Sequence, residues 1–343
     1  MLLNITLKTT ILGMLQILIL GGIGFLLIKR RFLKEEGLAV LSKLIIELTL
    51  PLLIFSQLIE GFSFSAYKNW WWFPLLSIAV TLLGFGIGKS VVLCYPQIVD
   101  KRGFISLVGF QNSGYIPLVL IAAVFPPNQS KELFIYLFLF LLGFNLVIWS
   151  LGVWYLNCPR TAEGGKVPHK LSFKELPQWL GFQENECLEL IKFFSPPVLA
   201  TLLSLLLVAI GVSKFIPQVV IHPLKMIGEC TMPLAMMVVG GNLATITVNN
   251  IDRKAMYYLI FAKLVLLPLI AFVVILFWRP NPLIGFLIIA QAAMPSATSL
   301  SLIARHYQVK EGMINQGILF THLVSIITIP LFLFLFSICS ASF

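Results

Sequence analysis

Charged residues are scarce in this sequence. The 343 residues include 24 Lys and Arg and 14 Asp and Glu, 11% in all, where soluble domains carry about 25%. With 59% hydrophobic residues, the chain has too much apolar surface for a soluble fold of its size to hide. Cysteine offers no framework. Cys94, Cys158, Cys187, Cys230 and Cys339 are odd in number, scattered and without a CxxC pair, which excludes a disulfide scaffold and a zinc site. They read as small apolar fillers. Histidine is rarer still. His169, His222, His306 and His322 lie far apart, and there is neither an HExxH nor a pair of intramembrane aspartates. Nothing therefore calls for an enzyme, a metal or any other cofactor. A sensor or receptor would need a soluble output domain, and the sequence offers none.

Long apolar runs are what it has instead. A helical span needs about 20 mostly apolar residues, and ten such spans are expected at 10–29, 38–60, 70–94, 103–125, 133–157, 195–216, 222–246, 255–278, 281–305 and 312–339. Gly37, Gly61, Pro96, Pro126-Pro127, Pro196-Pro197 and Pro280 punctuate the boundaries. The first span lacks a small-residue cleavage site and ends in Lys29-Arg30-Arg31, so it reads as a retained span. The net charge of +10 does not gather on a face that would bind nucleic acid; it is spread over short links. The odd-numbered links hold fifteen Lys and Arg, and the N-terminus with the even links holds five. That bias places the odd links in the cytoplasm and both termini on the other side of a cell or inner membrane. Trp70, Trp71, Trp72 and Trp278 then fall in one outer aromatic belt.

Residues 158–194 form a polar-leaning cytoplasmic linker, in which 172–182 could lie along the bilayer interface. The linker separates a first five-helix repeat, 1–157, from a second, 195–343. Glu47-Leu48-Thr49-Leu50-Pro51-Leu52 and Glu229-Cys230-Thr231-Met232-Pro233-Leu234 both read E-x-T-x-P-L, 182 residues apart, and Pro117 and Pro295 recur at an offset of 178. Five spans is an odd number, so the second repeat is inverted relative to the first. The fold class expected is an all-α integral membrane protein: ten transmembrane helices as two inverted five-helix repeats, with helices 4 and 9 broken and crossing. Inverted repeats place a binding site at their interface, and matching interrupted helices point to it.

Pro117 removes the hydrogen bond to the carbonyl of Ser113, and Pro295 that to the carbonyl of Gln291. In hydrocarbon such a carbonyl costs several kcal/mol unless a neighbour or a wet cavity satisfies it. The surroundings can do so: Gln111, Asn112, Ser113 and Tyr115 in one half, and Gln291, Ser296, Thr298 and Ser299 in the other. Since the two spans run in opposite directions, only tilt or unwinding brings the breaks level. A helix starting at each break would aim free N–H groups and its positive dipole end into a shared cavity. Such a cavity favours an anion, a carboxylate above all, without a buried lysine or arginine. The site residues expected are Asn112, Ser113, Tyr115, Pro117, Gln291, Pro295, Ser296 and Thr298. Glu47 and Glu229 are intramembrane carboxylates and so candidates for proton coupling; the plainer reading pairs them with Lys43 or Lys263. Asn242 is either a contact or a helix-packing group, and His322 reads as a satisfied packing residue.

At these residues the chain resembles the auxin efflux carrier family, which includes plant PIN and PIN-like carriers and bacterial malate-permease-like members. Asn112-Ser113-Gly114-Tyr115-Ile116-Pro117-Leu118 is similar to the family's N-[ST]-G-N-x-P-L crossover. Thr231-Met232-Pro233-Leu234 with Gly240, Gly241 and Leu243 is similar to its T-x-P-L…G-x-x-L stretch. Ala293-Met294-Pro295 through Ala304-Arg305-His306-Tyr307 is similar to its second crossover. Tyr115 stands where the family has a second asparagine. The resemblance implies Asn112 as an anion contact and Pro117 and Pro295 as the crossing points. It also implies a secondary-type transporter of small organic anions, auxin-like or malate-like carboxylates, working by alternating access. A sodium-coupled symporter of the bile-acid type is the alternative, its cation held by the carbonyls of Ser113 and Gln291. The partners expected are a small organic anion and the lipid bilayer, with a second copy of the chain as a candidate.

Overall fold

The computed structural model describes residues 7–157, 195–246, 251–306 and 312–340. The linker 158–194, its segment 172–182 and Tyr307 lie outside the described residues.

Every described segment is helical apart from short turns and one isolated bridge. α1 is Leu7–Lys29. α2 (Glu35–Leu44) continues through a π-turn, Ile45–Thr49, into α3 (Leu50–Gly61), and α4 is Trp72–Cys94. α5 (Lys101–Gly109) and α6 (Tyr115–Val124) are two halves of an interrupted helix. α7 (Pro127–Val147) runs through a second π-turn, Ile148–Gly152, into α8 (Val153–Asn157). After residue 194 come α9 (Pro196–Ala209), α10 (Gln218–Glu229) and α11 (Thr231–Thr245). α12 (Arg253–Phe261) joins α13 (Leu267–Trp278) through a π-turn, Ala262–Leu266. α14 (Pro282–Ala293) and α15 (Ser299–His306) form the second interrupted helix, and α16 is Gly312–Ser340. Seven of the continuous helices are long and apolar enough to cross a membrane; α6, α9 and α14 are shorter apolar helices.

The boundaries follow local chemistry. Pro127, Pro196 and Pro282 sit in first turns, where a missing N–H costs nothing. Asp100, Asp252 and Asn281 cap their helices by accepting from Gly103, Ala255 and Leu283 N–H groups. Two π-turns lie just before a proline, Pro51 and Pro268, where the widened turn relieves the clash with the carbonyl four residues back. The span read over 222–246 crosses as Gln218–Thr245, with a single αR turn residue, Cys230, between α10 and α11.

Small residues set the closest packing. α1 lies on α11 with almost no space between backbones: a Cβ on Gly240 would stand 1.8 Å from the Gly21 carbonyl oxygen. α4 lies on α5 in the same way, where a Cβ on Gly84 would stand 2.7 Å from the Val108 oxygen. Close backbone approach through glycine is how helices associate where no hydrophobic force drives them together. The outward surface stays apolar, with Phe277 85% and Ile327 72% exposed, as a lipid-facing surface requires. Trp72 stacks near Trp71 and Trp278, ring centroids 5.1 and 6.3 Å apart, so the two expected belt segments meet at one level.

Candidate functional site at the crossing of two broken helices

The two interrupted helices meet at their breaks. The chain leaves α5 at Phe110 and leaves α14 at Met294, both with extended backbone. The two extended segments run antiparallel, with Gln111 opposite Ser296. Asn112 N–H donates to the Pro295 carbonyl at 2.8 Å, and Ala297 N–H donates to the Phe110 carbonyl at 3.0 Å. Each break thus satisfies backbone groups that the other leaves open, which buried backbone requires. Unwinding is what brings the two breaks level.

Side chains complete the crossing. The Ser113 carbonyl that Pro117 strands accepts from Gln291 Nε2 at 3.1 Å. Ser296 Oγ donates to the Leu107 carbonyl at 2.7 Å, and Ser296 N–H donates to Thr321 Oγ1 at 3.2 Å. His322 Nδ1 lies 2.8 Å from the Ile318 carbonyl and His322 Nε2 lies 3.3 Å from Asn112 Nδ2. A carbonyl only accepts, so Nδ1 carries the hydrogen and Nε2 accepts from the Asn112 amide, which describes a neutral imidazole in one tautomer. His322 is the satisfied packing residue expected, and it also orients Asn112.

Beside the crossing lies a cavity of about 460 Å³. The start of α6 (Tyr115) and the start of α15 (Thr298, Ser299) form one part of its wall. α2 contributes Glu35, Ser42, Lys43 and, from the π-turn, Glu47; α11 contributes Asn242 and Thr245; α16 contributes Asn315. The N–H groups of a first helical turn lack intrahelical partners, so the α6 and α15 starts bring positive potential to this wall. Lys43 and Glu47 stand 3.8 Å apart on the other side, both well exposed.

The residues expected from the sequence separate into three groups. Tyr115 and Thr298 line the cavity, as does Glu47, which pairs with Lys43. Asn112, Ser113, Gln291 and Ser296 are buried in the crossing, where their side chains hydrogen-bond within the protein. The prolines differ from expectation. Pro295 lies in the extended break, but Pro117 lies inside the first turn of α6, and the first break runs over 110–114. Proline is welcome in a first turn, so it marks the start of the second half-helix rather than the gap itself. Glu229 does not reach the cavity. Its neighbour Gly228 packs on the Leu53 backbone, which turns the glutamate outward, and it is exposed at the end of α10.

Lys263 is the residue that sequence reasoning missed. It is fully buried in the π-turn before α13, and its Nζ donates to the Val108 carbonyl at 2.9 Å, at the end of α5. A charged residue in the middle of an apolar span is the available signal, and the sequence offers it first as a partner for glutamate.

The repeated E-x-T-x-P-L motifs also touch. Thr231 Oγ1 donates to Thr49 Oγ1 at 2.9 Å, both buried. Replacing either threonine with valine should lower stability by about 1 kcal/mol, and the double variant should cost little more than one single change. Thermal unfolding of the four proteins in detergent measures this, and additive losses would mean that the hydroxyls do not interact.

The chain matches the membrane transport protein family over residues 9–333, and it belongs to that family. This is the group of the auxin efflux carriers, so the resemblance read from the motifs holds. Over 132 residues it is 30% identical to Protein PIN-LIKES 2 of Arabidopsis thaliana, a match covering 36% of this chain and 29% of that protein. It is 21% identical to PIN-LIKES 7 over 340 residues, covering 83% and 85%, and 18% identical to PIN-LIKES 5 over 381 residues, covering 94% and 96%, both from the same plant. With PIN-LIKES 2 and PIN-LIKES 6 the match spans less than a third of the relative's length.

Proposed function

We propose that this membrane protein is a secondary carrier of small organic anions, in which two inverted five-helix repeats rock about the crossing. In this reading there are ten spans, the cytoplasmic side holds the linker 158–194, and both termini lie opposite. The observation that carries it is the pairing of two antiparallel helix breaks with two half-helix starts opening on one cavity. Half-helix starts bind anions through backbone N–H groups and dipole, and a discontinuous pair of helices is where secondary carriers hold their cargo. Asn112 and Gln111 add polar capacity. The Gln111 amide is buried with neither of its atoms partnered among the described residues.

In this reading cargo binds at the Tyr115 and Thr298 wall of the cavity, with the buried Asn112 amide in the crossing behind it. With the cell interior negative, an anion leaves downhill, so export needs no coupling ion; Glu47 remains placed to carry a proton if one is used. Sodium coupling is less well supported. The two carbonyls expected to hold the cation are both engaged, that of Ser113 by Gln291 Nε2 at 3.1 Å and that of Gln291 by Met294 N–H at 3.4 Å.

Reconstituted liposomes test both points. Flux of mono- and dicarboxylates should fall at least tenfold in Asn112→Ala and in Pro295→Ala, and should not respond to a sodium gradient. Unchanged flux in both variants would remove the site assignment, and flux that needs sodium would favour the symporter.

A further inference from the structure

We propose that Lys263 is a tethered cation: its ammonium occupies a cation site at the end of α5 and takes the place of a soluble coupling ion. The inference rests on the carrier reading for its transport consequence, though not for the site itself.

The end of a helix leaves its last carbonyls without intrahelical partners and concentrates about half a negative charge there. At the end of α5 most of these carbonyls receive a donor. Ser106 accepts from Phe110 N–H, Leu107 from Ser296 Oγ, Phe110 from Ala297 N–H, and Val108 from Lys263 Nζ. Three of these donors are neutral and one is a cation. Gly84 closes over the Val108 oxygen from α4, where a Cβ would stand 2.7 Å away. Lys263 therefore enters from the other side, through the π-turn Ala262–Leu266.

No carboxylate among the described residues lies within 4.0 Å of Lys263 Nζ. A buried ammonium without a carboxylate is costly, and packing alone does not call for it, since an apolar side chain of similar length fills the same volume without that cost. The charge also falls on one side only. The repeat spacing of 178–182 places residues 81–85, Thr-Leu-Leu-Gly-Phe, at the corresponding position of the first half, and they carry none. In this proposal the protonated amine holds a positive charge at the end of the half-helix that the crossing ties to Ser296 and Ala297. A passing anion meets this charge without any ion having to bind first.

The test separates charge from packing. Lys263→Met keeps the stem, sheds the cost of a buried ammonium and leaves the Val108 carbonyl without that donor, two opposed effects. It should therefore unfold within a few degrees of the wild type and lose at least tenfold of its anion flux. Lys263→Arg should retain a substantial part of it. Lys263→Gly opens the site. Its unfolding temperature should fall and should be raised again by tens of millimolar sodium or n-propylammonium chloride, but not by choline chloride, which is too large; the wild type should respond to none of them. Full flux in Lys263→Met, or a Lys263→Gly protein indifferent to every cation, would overturn the proposal. If the cations rescue stability while no variant, nor the wild type, moves any organic anion, the cation site stands and the carrier reading fails.

Discussion

Gln291→Leu should disable the protein more thoroughly than any change to a residue facing the cavity. Pro117 removes the N–H that would serve the Ser113 carbonyl, and Gln291 Nε2 supplies the replacement at 3.1 Å from a fully buried position on the other broken helix. Leucine fills a similar volume and donates nothing. A buried carbonyl left without a donor costs about 1–3 kcal/mol, and here the loss falls on the contact that joins the two interrupted helices. The expected results are a lower unfolding temperature in detergent and a fall in organic anion flux of roughly ten- to a hundredfold, taking about 1.4 kcal/mol per factor of ten. A second change gives the argument a sign test. Pro117→Ala returns an N–H in the first turn of α6, where it has no intrahelical partner and is free for the nearby Ser113 carbonyl, so in the Gln291→Leu background it should recover part of the lost stability. If Pro117→Ala only adds to the damage, the Ser113 carbonyl is not what Gln291 serves.

That contact shows what can be read from a sequence of this kind. Proline chemistry is local, so the stranded carbonyl of Ser113 could be named from Pro117 alone, and glutamine at 291 was among the groups available to satisfy it. The helical spans were legible for the same reason: apolar runs with proline and glycine at their ends. The shift of the first break to 110–114, away from Pro117, was not legible. It depends on Asn112 and Ala297 N–H groups finding carbonyls on extended segments 183 and 187 residues away. Glu229 and Lys263 show the same limit. Both are charged residues in apolar stretches, and composition marks both as unusual. Which one turns inward is decided by packing, by Gly228 seated on Leu53 in one case and by a π-turn reaching toward the end of α5 in the other.

Packing of that closeness makes the second large prediction. Gly24→Ala and Gly240→Ala should be among the most destabilising single-methyl changes in the protein. An alanine Cβ at Gly24 would lie 1.9 Å from the Met237 carbonyl oxygen and 2.6 Å from its carbonyl carbon and Cα; at Gly240 it would lie 1.8 Å from the Gly21 oxygen. Ordinary carbon–oxygen contacts need about 3.3–3.6 Å, and the obstacles are backbone atoms that no rotamer change can remove. Helices α1 and α11 would have to move apart. Overpacking of this kind costs about 1–3 kcal/mol and sometimes more. The movement would also carry Asn242 and Thr245, the part of α11 that walls the cavity, so anion flux should drop with stability. Gly22 and Gly86 provide the control, because a Cβ at either meets nothing within 4 Å. Alanine there should be neutral or slightly stabilising through its better helix propensity. Unfolding temperatures of the four alanine variants in detergent therefore measure helix separation against propensity. Equal behaviour at Gly240 and Gly22 would mean that α1 and α11 do not meet backbone to backbone, and that the cavity wall they build is placed by something else.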